Sequence, residues 1–438
     1  MKLIKSLLLS LALLVGLTSS EAQFCAAPAG TPPPSLTFSI QRSGNQLVDG
    51  SGNPVQFHGS NASGMEQFAL NHSPWSGNGL GNAEPNWTLF KSWNNNAVRI
   101  PLNESSWLDL TGTRPDNLAT GYYAGPASTY KAAIQNAVNH ATAAGLYVIL
   151  DLHWSAPGPY IAVDQSNGAN RDHSVAFWTS VATMFKANPA VIFELYNEPY
   201  LLFTWPESFA EWDYYLNGGG PNGGGYFATG YYSVIHLTNN NIDRVYNWQA
   251  AGTQEMLNAI RATGAKNVVL VNGLSYASVL GWVQNGARLQ DYMPTDTLSP
   301  HQLGIGWHTY ANSTYPTYEN GYQSDRVTTG GPSVQGYGYA NDLLAAGYPI
   351  IITEYGGPTT GATPPLLPYM WGWADGPTQS GIDAGNGNPA RALVGYMAWT
   401  WDNWACPPAC SHVLLNSSTA TPTPALGAAV KAHYLTRH

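Results

Sequence analysis

The stretch YVILDLHWSAPGPYIAVDQSNGANRDHSVAFWTSVATMFKANPAVIFELYNEP, residues 147–199, decides how the rest of the chain is read. It opens and closes on short runs rich in Val, Ile and Leu, Tyr147–Leu152 and Val191–Tyr196, each long enough for one strand buried on both faces. Between them, Asp172–Lys186 places Phe177, Trp178, Val181, Met184 and Phe185 on one face at a spacing near that of a helix turn. Strand, amphipathic helix and strand in this order predict two parallel neighbours joined by a crossover.

The same unit recurs outward in both directions. Further strands are expected at Val55–His58, Ala97–Pro101, Val268–Val271, Gly304–His308, Pro349–Thr353 and Gly395–Trp399, which with the first two makes eight. Helices are expected at Ser128–Ala144, stopped by Gly145, at Asn247–Thr263, stopped by Gly264, and at Ala425–Leu435. Eight β/α units favour an α/β fold closed as a (β/α)8 TIM barrel with extended βα loops. Ahead of them Asn45–Val48 and Val55–His58 flank the turn-rich Asp49-Gly50-Ser51-Gly52-Asn53 and are read as a hairpin whose second arm is the first core strand.

Three divisions are expected: a signal peptide over 1–22, a Pro-rich lead-in over 23–36 and a single catalytic domain over 37–438. Lys2 and Lys5, the apolar run Leu7–Leu17 and the small residues Ser20 and Ala22 have the order of a cleaved leader. The expected location is therefore secreted, extracellular or periplasmic, with no membrane association after cleavage. A membrane anchor is the alternative, but the run is short of the roughly 20 apolar residues a spanning helix needs. In an oxidising compartment Cys406 and Cys410 would close a small loop and leave Cys25 over; three unpaired thiols remain the other possibility. Tyr200–Tyr246 is a long Gly- and aromatic-rich insertion of the kind that shapes a binding site.

Composition narrows the partners. Only 10% of residues are charged and the net charge is −9, which gives no basic groove for nucleic acid and suits a neutral polymer. Neither GxGxxG nor GxxxxGK[ST] follows any strand, so the dinucleotide and nucleotide-phosphate readings lack support. No cofactor is expected, and a monomer is the expected state.

In such a barrel the chemistry belongs at the carboxyl ends of the strands. Those ends read Arg99 in AVRIP, His153 in DLHW, Asn197-Glu198-Pro199 in ELYNEP, His308 and Tyr310 in WHTY, Glu354 in IITEYGG and Trp399 in YMAWTW. Two glutamates after the fourth and seventh strands would face each other across the mouth. Glycoside hydrolysis with retention needs such a pair about 5–5.5 Å apart, one to protonate the leaving oxygen and one to attack the anomeric carbon. Arg99 would keep Glu354 ionised as nucleophile, and a less well paired Glu198 would stay protonated. Taken singly, each residue also has a plain structural reading: Glu198 as a helix N-terminal acid, Glu354 as an ion-pair partner of Arg99, the histidines as core groups. A metal site is the further alternative for His153, His308 and the two glutamates; HExxH is absent and Arg99 would oppose a cation, so no metal is expected.

Arg99, His153, Asn197-Glu198, His308, Tyr310, Glu354 and Trp399, in this order and at these strands, resemble glycoside hydrolase family 5, over roughly Asn45 to Trp404. The resemblance implies Glu198 as acid/base and Glu354 as nucleophile. It further implies Asn197 on the sugar 2-hydroxyl, Tyr310 on Glu354, His153 and His308 positioning sugar hydroxyls and Glu198, and Trp399 as the floor under the sugar. The sequence departs in the Tyr200–Tyr246 insertion and in the second tryptophan, Trp401, which leaves substrate preference and the platform residue open. The expected substrate is a β-linked polysaccharide or oligosaccharide, with a cellulose-like β-1,4-glucan first. A β-mannanase, a xyloglucanase, an exo-β-glucanase, or a secreted carbohydrate-binding protein without turnover are the alternatives. Trp75, Trp154, Trp205, Trp212, Trp307 and Trp404 are candidate sugar-stacking residues, with core packing as the equal alternative for each.

Overall fold

A computed structural model describes residues 38–116, 119–201, 209–220, 227–229, 246–281, 286–310, 338–359, 366–376, 388, 390–404, 412–416 and 419–437. The leader, the lead-in, all three cysteines, Trp205 and much of the Tyr200–Tyr246 insertion lie outside these residues. No helix among the described residues is long and apolar enough to cross a membrane.

Eight parallel strands close into a barrel: β1 (His58–Asn61), β2 (Ala97–Asn103), β3 (Tyr147–Trp154), β4 (Val191–Glu194), β5 (Val269–Asn272), β6 (Leu303–Tyr310), β7 (Ile350–Gly356) and β8 (Gly395–Ala398), with β8 pairing back onto β1. Helices Trp87–Lys91, Ala127–Ala143, Ser174–Phe185, Thr253–Ala262, Gly338–Ala345, Leu366–Ala374 and Leu426–Tyr434 fall between or after the strands. The predicted helical faces are the buried ones: Phe177, Trp178, Val181 and Phe185 pack inward, as do Tyr130, Ile134, Ala137 and Val138. Met184 is only partly buried, at the margin of that face.

Two expectations move. The amino-terminal hairpin pairs Gln41–Ser43 with Gln46–Val48, and the Asp49–Asn53 turn returns the chain for a single bridge of Val48 to Pro54. The first barrel strand therefore begins at His58, three residues later than Val55. The hairpin instead closes the amino-terminal end of the barrel, where Ile40 and Leu47 join the inward side chains Ile149, Ile192, Leu270 and Ile351 in one apolar cluster. Phe38 and Phe57 stack on Tyr147 there, at 4.6 and 5.1 Å between ring centres. Each such side chain contributes about 1.5–3 kcal/mol by leaving water.

The insertion is the second change. Its described parts are structured, as a helix over Phe209–Asn217 and an antiparallel pair of Phe227–Thr229 with Tyr246–Trp248. The helix predicted from Asn247 accordingly starts at Thr253.

Candidate active site

Inward alternation along the strands sets the site. On β2, Ala97 lies in the apolar floor and Arg99, two residues on, in the layer above; on β3, Ile149 in the floor is followed by Asp151 and His153. On β4, Ile192 gives way to Glu194, and on β5, Leu270 to Asn272. The polar layer is thus a continuation of the floor's own period of two.

Strand β7 breaks that period at Thr353. Ile352 pairs with Trp307, but Glu354 pairs with His308, so Thr353 is an extra residue in the ladder. A bulge lets consecutive residues face the same way. Thr353 Oγ1 donates to Glu194 Oε1 at 2.8 Å, and Glu354 beside it meets Arg99, both within the barrel. On β6, Gly306 leaves space for this layer: a Cβ there would fall 2.0 Å from Asn272 Oδ1 and 3.1 Å from Glu194 Oε1.

Arg99, with no exposed side-chain surface, is the hub. Its five N–H groups face five acceptors. Nε donates to Glu194 Oε2 at 2.6 Å, Nη1 to Glu354 Oε1 at 2.6 Å and Asn61 Oδ1 at 2.9 Å, and Nη2 to Asn197 Oδ1 at 2.8 Å, with Asp151 Oδ2 at 3.0 Å from Nη2. Burial alone would push the guanidinium down, but Asp151, Glu194 and Glu354 outweigh it and raise it further. Burial carries Asp151 up to about 7 against the pull of Arg99.

The two glutamates sit in different surroundings. Glu354 accepts from Arg99 on Oε1 and from the Tyr310 hydroxyl on Oε2 at 2.5 Å. Burial and the neighbouring Glu354 charge hold Tyr310 far above its usual range, so it remains a donor. Glu198 has His308 Nδ1 at 2.8 Å from Oε1 and accepts from Gln165 Nε2 on Oε2 at 2.9 Å. Burial raises the Glu198 carboxyl, opposed by the Gln165 hydrogen bond and by the Arg99 charge. One ligand-type atom each of Glu198, His308 and Glu354 lies within 4.8 Å of the others, so the carboxylates meet across the mouth.

The histidines are neutral partners: burial pushes both His153 and His308 down to about 4. His153 Nδ1–H donates to Asp151 Oδ2 at 2.9 Å, which leaves Nε2 as an acceptor facing Asn197 Nδ2 at 3.5 Å. Because Asn197 Oδ1 is held by Arg99, its amide is oriented with the NH2 group toward that side. The half-buried Trp399, joined to Thr400 by a cis peptide, stacks on His153 with ring centres 5.4 Å apart and planes 4° apart.

All eight residues singled out in the sequence lie at this one mouth. Trp401 does not: it is buried against Phe90 and Trp93, which leaves Trp399 as the tryptophan that faces the site. Three candidate stacking residues are corrected to core positions: Trp75, Trp212 and Trp307 are at most 3% exposed. Trp154 and Trp404 stay partly exposed. Asn61, Asp151, Gln165, Glu194 and Asn272 were not singled out; counting back by two from His153 gives Asp151, but Gln165 lies in a loop with no period to betray it.

Glu198, His308 and Glu354 are also the trio among the described residues with donor atoms spaced for a metal ion. Both Glu354 oxygens already accept donors, one from a guanidinium, so a cation would have to displace Tyr310 and lie against Arg99. The donor set therefore opposes a cation at this place.

The sequence matches the model of the family described as Cellulase (glycosyl hydrolase family 5) over residues 48–403. It is similar to an endoglucanase of Paenibacillus polymyxa, 28% identical over 179 residues, 40% of this chain and 43% of that protein. Endoglucanase MaCel5A of a Microbulbifer species is 27% identical over 156 residues, 36% of this chain and 25% of that protein. The matched segments span between a quarter and somewhat under half the length of these curated relatives. Among solved structures, a beta-glucanase of Saccharophagus degradans in complex with cellotetraose shares the fold at a TM-score of 0.53 and 18% identity, covering 94% of this chain and 98% of that one. An endo-beta-1,4-glucanase of Xanthomonas axonopodis pv. citri does so at 0.52 and 19%, covering 88% and 100%.

Proposed function

The chain belongs to the cellulase family, glycosyl hydrolase family 5, and from that premise we propose that it is a retaining glycoside hydrolase cutting within β-1,4-linked glucan chains. The observation that carries the reading is the pair of carboxyls within 4.8 Å, one bonded by Arg99 and Tyr310 and the other by His308 and Gln165. One oxygen of each within 4.8 Å of the other supports the short spacing of retention, about 5–5.5 Å, over the wider spacing of inversion.

In the first step a Glu354 oxygen forms a bond to the anomeric carbon as the bond to the leaving oxygen breaks, and the Glu198 proton passes to that oxygen. In the second, the Glu198 carboxylate takes a proton from water, the water oxygen bonds to the anomeric carbon, and Glu354 departs. Arg99 and Tyr310 would steady the charge on Glu354 as it is consumed and regenerated. Asn197 Nδ2 is oriented to donate to the 2-hydroxyl, His153 Nε2 to accept from a neighbouring hydroxyl, and Trp399 to lie under the sugar face.

A β-1,4-glucan is favoured because the two relatives are named endoglucanases and a solved neighbour holds cellotetraose. Purified protein is expected to release new reducing ends from carboxymethylcellulose faster than from mannan, xyloglucan or laminarin. Glu354→Gln and Glu198→Gln should each lower that rate, the former on the order of 10⁴–10⁶-fold. Folded variants with near-normal rates would refute the assignment, and a faster rate on mannan would refute the substrate.

A further inference from the structure

We propose that Gln165 is a positioning residue for Glu198, fixing the rotation of the acid/base carboxyl and sharing its negative charge after the proton has left. The proposal rests on Glu198 being the acid/base. Gln165 Nε2 reaches Glu198 Oε2 at 2.9 Å and the Glu198 backbone oxygen at 3.3 Å, so one amide holds both ends of the residue.

The loop that carries it is built to deliver it. Gln165–Gly168 lies along Tyr196–Leu201, the segment that leaves β4 with Glu198 at its centre. The Tyr196 hydroxyl donates to the Ser166 oxygen at 2.9 Å, and the Tyr200 N–H to the Asn167 oxygen at 2.8 Å. Gly168 packs so closely that a Cβ would lie 2.5 Å from Leu201 Cδ2. Gln165 is half-buried between these anchors, and its N–H bonds Asp164 Oδ1 at 2.8 Å. Contacts on both sides of Glu198 thus set where the amide can point, which is unlike a surface glutamine that meets a carboxylate by chance.

Every group facing Glu198 bears on its charge. His308 from β6 is neutral and bonds Oε1; Glu354 from β7 and Asp151 from β3 disfavour ionisation. Arg99 from β2 favours it, His153 from β3 is neutral, and Tyr310 from β6 feels the Glu198 charge but bonds Glu354. Gln165 is the group that adds a donor to Oε2 from a loop and carries no charge of its own. Removing it takes away a bond that favours the anion, so the carboxyl becomes a weaker acid, free to turn.

The test is kinetic, with Gln165→Met, which keeps the length and removes the donor. On cellotetraose, the alkaline limb of kcat/KM is expected to move up by about one pH unit. At the wild-type optimum kcat should fall about tenfold with KM little changed, because orientation and not binding is lost. For 2,4-dinitrophenyl β-cellobioside, whose leaving group needs no proton, kcat/KM should change less than about twofold. Gln165→Glu keeps the shape, replaces the donor by a carboxyl and should move the limb in the same direction, which covers the case of a poorly folded Met variant. An unmoved limb, or equal loss on both substrates, overturns the proposal as a merely structural effect. Glu198→Gln run alongside separates the two readings: if that variant still hydrolyses cellotetraose normally, the assignment of Glu198 itself has failed.

Discussion

The amino-terminal half of the barrel interior and its carboxyl-terminal half are lined by the same strands in the same inward alternation, yet one is hydrocarbon and the other ionic. Below, Ile149, Ile192, Leu270, Ile351 and Met397 meet under the hairpin residues Ile40 and Leu47. Above, two residues further on along β2, β3 and β4 and three along β7, Arg99 is wrapped by Asp151, Glu194 and Glu354, with Asn61 and Asn197. The floor gains stability from burial with no direction to it, whereas the mouth carries buried charges whose desolvation is offset only while every partner is in place. Rigidity at the floor therefore supports a charge cluster at the mouth that would be costly on its own.

The sharpest way to break this contrast is Arg99→Met, which leaves three carboxylates buried without their cation. Urea unfolding should show a loss of about 3–5 kcal/mol, the scale for breaking a buried ion pair. The loss should also depend on pH. With the cation gone the folded carboxyls bind protons more tightly than in the unfolded chain, so the penalty grows from about pH 5 to about pH 8. A penalty that is flat with pH would mean the cluster is not the electrostatic unit described.

In the floor, Ile192→Ala should cost about 2–5 kcal/mol by the same assay, as large-to-small core changes do. Here the penalty should be nearly equal at the two pH values, since the cluster around it is apolar. The folded variant should keep most of its turnover. At the boundary between the halves, Gly306→Ala forces a methyl against Asn272 and Glu194. It is expected to cost about 1–3 kcal/mol, the usual range for overpacking. Unlike the floor variant, it should lower kcat by displacing the layer that holds Arg99.

The smallest effect concerns the wild type. Glu198 must be protonated to act as acid, and burial raises its pKa. Activity should therefore persist above the ordinary glutamic acid range and fall as the pH passes through the raised value. An alkaline limb in the pH profile of kcat/KM at the ordinary carboxyl range would count against the partly buried setting of Glu198.

The barrel was legible in the sequence because eight short apolar runs alternate with helical faces, and the order of strand and helix survives folding. Boundaries were less so: β1 starts at His58 because the residues before it finish a turn against the hairpin instead of pairing with β2. The eight mouth residues were legible because polar and ionisable groups, with Trp399, stand at the ends of apolar runs. Glu194 and Asp151 were hidden inside those runs, where they read as interruptions and not as ligands of Arg99. The β7 bulge had no sign at all, since two strand neighbours facing one way contradict the alternation by which strands are recognised. The tryptophans show the opposite failure: an aromatic residue in a predicted loop or at a predicted strand end looks the same whether it lies at the mouth, as Trp399 does against His153, or in the core, as Trp212 and Trp307 do.

For Glu198 and Glu354 to act as proposed, both carboxyl groups must share one anomeric centre at a spacing that admits a covalent intermediate. Proton NMR of a cello-oligosaccharide digest, followed from the first seconds before mutarotation, tests that most directly. The β-anomer of the new reducing end should appear first and the α-anomer only later, as solution equilibrium is reached. If the α-anomer is formed first, hydrolysis inverts, and Glu354 is not the nucleophile nor Glu198 its acid/base.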